Sequence, residues 1–154
     1  MLKQTIRQKG FTIIELLIVI VIIGILATLV LSTYASGPAK ARDSKRLTDI
    51  NSIATQLEIY NSETGGYPTF TGKLDTDTWV QQNLKGLDIN ALRPPNQTAN
   101  SMVNSATPTK DQYGYQAFQS DGVTACTAEP CAKFKLYWAK ETANNAVQVK
   151  TSLQ

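Results

Sequence analysis

The chain changes character sharply along its length. From Phe11 to Leu31 it reads FTIIELLIVIVIIGILATLVL, twenty-one residues whose one charge is Glu15. About 20 apolar residues suffice to cross a bilayer as a helix. A carboxylate inside such a run is costly and marks a functional position. From Ala39 onward the pattern turns amphipathic. Leu47, Ile50, Ile53, Ala54, Leu57 and Tyr60 recur at three- and four-residue steps, opposite a face of Arg42, Ser44, Lys45, Thr48, Asp49, Thr55 and Glu58. Gly65-Gly66 supplies the stop. The two stretches predict a helix from Phe11 to about Ser62, ~78 Å long at 1.5 Å per residue. Two weak points interrupt it, and both are read as bend positions. Gly24 costs ~1 kcal/mol relative to alanine, and at Gly37-Pro38 the proline removes a backbone hydrogen bond and kinks the helix.

The remainder predicts a small soluble head. Gly65-Gly66-Tyr67-Pro68-Thr69 is a turn signal. Asp75 to Leu84 reads as a short helix capped by an aspartate or threonine, and residues 88–111, rich in Asn, Ser, Thr and Pro, read as loop. Three strands are expected. Tyr113 to Gln119 is aromatic-rich. Ala132 to Lys140 alternates, with Phe134, Leu136 and Trp138 on one face. Ala146 to Thr151 alternates, with Val147 and Val149 inward. Asn144-Asn145 suits the last hairpin turn. The predicted fold class is α+β: a long N-terminal helix packed against an antiparallel meander of about three strands.

Charge and composition narrow the function. The formal net charge is +3, but Lys3, Arg7 and Lys9 precede the apolar run, and without residues 1–10 the remaining charges balance. The basic character therefore belongs to the leader and describes no nucleic-acid-binding surface. The cluster Arg42, Lys45, Arg46 admits three readings: a solvated helix face, contact with lipid headgroups or acidic neighbours, and contact with DNA. The last finds no support, since no aromatic residues interleave the charges. Histidine is absent, which removes the commonest general base and zinc ligand. No nucleophile–base pair or phosphate loop appears, so the sequence points to a structural protein, not an enzyme, and implies no cofactor. Asp75-x-Asp77 could offer oxygens to calcium but reads better as helix capping, and Asn96-Gln97-Thr98 is a chance-level glycosylation triplet. Cys126 and Cys131 do not make a zinc site. In an exported domain they read as a disulfide, worth ~2 kcal/mol on the chain-entropy model; in a cytosolic one they would be free thiols.

The N-terminus decides among a signal peptide, an ordinary anchor and something more specific. The run is too long for a signal peptide, and no small-x-small cleavage site follows it. A plain anchor, held N-terminus inside by Lys3, Arg7 and Lys9, leaves Gly10 and Glu15 unexplained. Lys9-Gly10-Phe11-Thr12-Ile13-Ile14-Glu15-Leu16-Leu17 resembles the class III signal of type IV pilins and pseudopilins. The close likeness covers roughly residues 7–35, with a looser one to about residue 70, and the short leader is similar to the type IVa branch. The resemblance implies that a prepilin peptidase cuts between Gly10 and Phe11 and N-methylates Phe11. It also implies that Glu15 pairs with an N-terminal amine, its own or a neighbour's, so that an unpaired Glu15 penalises the lone subunit. Many family members carry a helix-breaking proline close to where Ser32 stands here; Gly37-Pro38 would take that place. The family often has a disulfide-closed loop near its C-terminus; the Cys126–Cys131 loop is shorter and lies earlier.

On this reading the chain divides into a leader (1–10), an apolar assembly helix (11–36), its amphipathic continuation (37–64) and a head (65–154). The leading expectation is a type IV pilus subunit, polymerising into a surface filament for adhesion, twitching motility or DNA uptake. The alternative is a pseudopilin of a type II secretion system, discriminated by a calcium loop for which the C-terminal part has only Asp111, Asp121 and Glu129. Implied partners are prepilin peptidase, copies of the chain, an inner-membrane assembly platform and membrane lipid before assembly.

Overall fold

The computed structural model describes residues 10–34 and 37–154. The leader residues Lys3, Arg7 and Lys9 lie outside these. Two compact units result, Met1–Pro38 and Ala39–Gln154.

In the first unit, helix α1 spans Ile13–Tyr34. It forms because nothing in it opposes helix except Gly24, through which it runs. Side chains from Phe11 to Val30 are exposed on all sides, and the window Ile13–Val30 is long and apolar enough to cross a membrane. Helix α2 spans Gly37–Thr64. Gly37 and Pro38 both lie in it. Residues 35 and 36, at the expected bend, lie outside those described.

In the second unit α2 ends as its glycines predict. Gly65 takes φ +81° and its N–H donates to the Asn61 carbonyl at 2.8 Å. The buried face of α2 differs from the predicted one. Ile50, Ile53, Ala54 and Leu57 are buried as expected, but Arg46 and Asp49 join them, while Leu47 is 48% exposed. A short helix α3, Asp77–Asn83, follows. Its N-cap, Thr76, makes no side-chain capping bond, and Asp77 pairs with Arg93 at 3.3 Å. The Asp75/Asp77 capping reading is corrected accordingly.

The sheet has four strands in the order β1-β2-β3-β4. They are β1 (Met102–Val103), β2 (Tyr113–Phe118), β3 (Lys133–Lys140) and β4 (Ala146–Thr151). The last three form the predicted meander. β1 pairs parallel with β2 and sits in the stretch read as loop, being too short to show alternation. The core joins α2 to Tyr113, Tyr115 and Ala117 of β2 and Phe134 and Leu136 of β3, with Leu74, Val80, Leu84, Leu92 and Met102 from the connecting segments. Gly114 is required by a close approach: a Cβ there would stand 2.1 Å from the Ser105 carbonyl oxygen.

The facing of β4 is reversed from expectation. Trp138 pairs with Gln148 and Leu136 with Lys150, so Gln148 and Lys150 share the helix-side face, and the Lys150 ammonium reaches the Asn51 side chain on α2 at 3.0 Å. Val147 and Val149 face outward, 40% and 53% exposed. Pairing register fixes which residues face the core. Here it is set by a five-residue connection, Glu141–Ala143 in a 3₁₀ turn and then Asn144 and Asn145, both at positive φ.

Glu58 on α2 makes two further ties, one to the turn after the helix and one to the segment after β4. The Glu58 carboxylate accepts from the Tyr67 hydroxyl at 2.7 Å and from the Leu153 N–H at 3.0 Å.

Candidate assembly and processing site

Gly10, Phe11 and Thr12 belong to no helix or strand and are exposed. Nothing lies within 4 Å of where a Cβ on Gly10 would be. The Gly10–Phe11 peptide bond lies directly ahead of α1. Thr12 caps that helix. Its N–H and hydroxyl both donate to one Glu15 oxygen, at 2.8 and 2.7 Å, and the Glu15 N–H donates back to the Thr12 hydroxyl at 3.3 Å. This reciprocal arrangement is a capping box, and it places a carboxylate where the helix dipole favours one. Glu15 thus has hydrogen-bond partners within its own helix start. The signal was present in the sequence: Thr12-x-x-Glu15 opens an apolar run. Beyond Glu15, α1 offers an apolar surface on every side, and a surface of that extent requires cover from lipid or from other apolar helices.

The head spends its charges internally. Arg42 meets Glu141 through two hydrogen bonds, 2.9 and 2.6 Å. Arg46, 1% exposed, bonds to Asp43 at 2.9 Å, to Glu141 at 3.3 Å and to the Lys110 carbonyl at 3.1 Å. Lys45 reaches Asp49 at 2.5 Å. The cluster is thus no free patch for DNA: its cations face carboxylates of the same unit, Arg46 buried, Arg42 partly exposed and Lys45 exposed on the solvated side. Hydrogen bonding to Arg42 holds the Glu141 carboxyl down at about 2. Burial pushes Asp43 up, but hydrogen bonds from Thr142 and the Glu141 N–H outweigh it and leave its pKa lowered. Burial raises Asp49, against the pull of Lys45 and Tyr113.

Cys126 and Cys131 form a disulfide with Cα atoms 5.7 Å apart. Its loop straps the turn after α2. Tyr67 and Cys131 exchange both backbone hydrogen bonds, 2.8 and 3.1 Å. Glu129, inside the loop, accepts from the Thr69 N–H at 2.6 Å and pairs with Lys73. Asp121, in the connection just before, accepts from Thr124 and from the Val123 N–H, which holds its carboxyl down at about 2. Among the described residues, no three His, Cys, Asp or Glu side chains gather as a metal-binding group.

Residues 6–31 match the model of the prokaryotic N-terminal methylation motif. The type II secretion system core protein G of Dickeya chrysanthemi is 41% identical over 63 residues, 41% of each chain. That of Pectobacterium carotovorum subsp. carotovorum is 40% identical over 81 residues, 53% of this chain and 46% of the relative. The fimbrial protein EcpB of Eikenella corrodens is 41% identical over 95 residues, 62% of this chain and 55% of the relative.

The N-terminal stretch thus carries the methylation motif and is similar to secretion core proteins G and to a fimbrial protein.

The matched stretches span about half of these relatives or less, and no solved structure matches. Gly10, Phe11 and Glu15 fall inside the matched motif, on one continuous stretch that ends in the first turn of α1. Gly24 lies within α1, Gly37 and Pro38 within α2, and the cysteines in the head. Sequence reading missed Thr12 and the buried Arg46, the second because an arginine among polar neighbours gives no linear sign of burial.

Proposed function

We propose that this chain is a filament subunit built by the prepilin route, and that its filament is the pseudopilus of a type II secretion system. The observation that carries the filament reading is Glu15 at the start of a fully exposed apolar helix inside the methylation motif. The relatives named core protein G favour the secretion assignment over the surface pilus expected first.

The steps follow from the chain's own residues. Prepilin peptidase cuts the Gly10–Phe11 bond, removes leader 1–10 and methylates the Phe11 amine. The subunit waits in the inner membrane by residues 11–36, N-terminus toward the cytoplasm. At the assembly platform, Glu15 accepts the amine of a neighbouring Phe11. A desolvated carboxylate gains more from a cation than from a threonine hydroxyl, so the capping box is a holding state and the amine pair the assembled one. Gly24, Gly37 and Pro38 are the points at which the helix would adjust its course as subunits pack.

A surface pilus is the second reading. The match to the fimbrial protein extends further along this chain than those to the secretion proteins above. Mass spectrometry of sheared filaments and of the cell envelope tests both. A chain beginning at methylated Phe11 and confined to the envelope, with secretion lost on deletion, supports the pseudopilus. Abundance in sheared surface fibres supports the pilus. A chain retaining residues 1–10 in every fraction overturns the filament reading.

A further inference from the structure

The ion pairs at the start of α2 leave two cations over. Arg42 and Arg46 are balanced by Asp43 and Glu141. Among the described residues, Lys40 on α2 and Lys140 at the end of β3 face no carboxylate in ion-pair range. Both line one open groove of about 570 Å³ in the head, together with Ser44, Leu47, Trp138 and Gln148. Asp43 also borders it, but its oxygens are taken by Arg46, the Glu141 and Thr142 N–H groups and the Thr142 hydroxyl. The groove therefore presents two ammonium groups, a hydroxyl and an amide, beside an apolar wall of Leu47 and Trp138. Leu47 is half-exposed on a helix whose other large aliphatic residues up to Leu57 are buried.

This lining suits a ligand with an anionic head and an apolar flank. Lys40 follows Val30, the last residue of the membrane-compatible window, by ten residues, and ten residues reach at most about 35 Å. The groove is thus tethered near the bilayer surface, where tryptophan settles at headgroup level and lysines attract anionic lipid. We propose that the Lys40–Lys140–Trp138 groove binds the phosphate headgroup of an anionic phospholipid while the subunit waits in the membrane. The proposal rests on the membrane-anchored reading above, and it adds a lipid contact that must be given up on entry into the filament.

The test uses the full chain carrying Trp79→Phe, so that Trp138 is the sole tryptophan. The protein is placed in phosphatidylcholine vesicles with or without phosphatidylglycerol, with a nitroxide quencher attached to trace headgroups. Trp138 emission should be quenched more strongly when phosphatidylglycerol is present, and high salt should abolish the difference. Each lysine near an anionic surface contributes about five-fold in affinity. Lys40→Gln/Lys140→Gln should therefore lose roughly thirty-fold of the preference for phosphatidylglycerol while still floating with the vesicles. Equal quenching in both lipids, or an unchanged preference in the double variant, overturns the headgroup site and leaves the anchor standing. Protection of Trp138 that follows protein density and ignores lipid composition overturns it in favour of a second copy of the chain. Failure to float overturns the anchored reading and the groove with it.

Discussion

Arg42 and Glu141 stand 99 residues apart in sequence and meet through two hydrogen bonds of 2.9 and 2.6 Å. Arg46 sits behind them, closed off from solvent. The two arginines differ in burial, and their substitution should differ accordingly. Arg46→Ala removes a buried cation and leaves the Lys110 carbonyl and an Asp43 oxygen short of a partner. It should cost about 3 kcal/mol in denaturant unfolding of the detergent-solubilised chain. Arg42→Ala, at a partly exposed pair, should cost far less. Equal losses would show that burial does not separate the two.

Acid should destabilise the head only at low pH. Glu141 and Asp121 are held at about 2, and Asp43 is also lowered. A carboxylate whose folded pKa is depressed lends stability above its unfolded pKa of about 4, and that stability goes as pH falls toward the folded value. Asp49 has the opposite sign. Its folded pKa is raised, so its contribution grows as pH falls through that value and is fully present below the unfolded one. The unfolding midpoint should hold or rise slightly down to about pH 4 and then drop. Asp49→Asn should remove the rise and keep the drop. Midpoints measured across this range in urea would expose an error in either sign.

Thr12 and Glu15 can be separated by substitution. Thr12→Val abolishes the capping box and keeps the carboxylate, at a cost of about 1 kcal/mol to the helix start. Glu15→Ala removes both the cap and the assembly contact. Filament yield should survive the first change and collapse with the second. Equal yields from the two variants would remove Glu15 from the assembly role.

Reduction of the Cys126–Cys131 disulfide should act at Tyr67. The short loop confers about 2 kcal/mol on the chain-entropy model, and the Tyr67–Cys131 bridge depends on it for position. Cys126→Ser/Cys131→Ser should lower the melting temperature. It should also speed amide exchange at Tyr67 and Cys131 before exchange in α2. Unchanged exchange at Tyr67 would place the strap elsewhere.

Glycine substitutions offer a contrast in packing. Gly114→Ala forces a methyl group onto the Ser105 carbonyl, which is backbone and cannot swing aside, at about 1–3 kcal/mol. Gly24→Ala meets nothing within 4 Å and should raise helix content by about 1 kcal/mol of propensity. If Gly24→Ala nevertheless lowers filament yield, the glycine serves as an adjustment point in the assembled helix.

What the sequence made legible was periodic or punctuated. The apolar run, the α2 stripe from Ile50 to Leu57, the Gly65 stop and three strands each repeat or end on a recognisable residue. What it concealed depends on partners distant in the chain. Arg46 and Asp49 are buried because Glu141, Lys110 and Tyr113 come to meet them, and no local pattern announces that. Val147 and Val149 alternate as a buried strand would, yet the connection of Glu141 to Asn145 sets them on the outer face. Thr12 was the exception: its capping signal was local, and the charge of Glu15 drew attention away from it.

The hairpin of β3 and β4 is fastened to α2 at both ends, by Glu141 and Thr142 on Asp43 and the two arginines, and by Leu153 on Glu58. These closures span 95 to 99 residues. Contacts so distant in sequence form late. Until residues 141–153 reach α2, Asp43 and Glu58 lack these partners and the hairpin is loose at both ends. The sheet therefore closes over the buried face of α2 as a late, long-range step, and loss of Leu153 would leave one end of that closure unfastened.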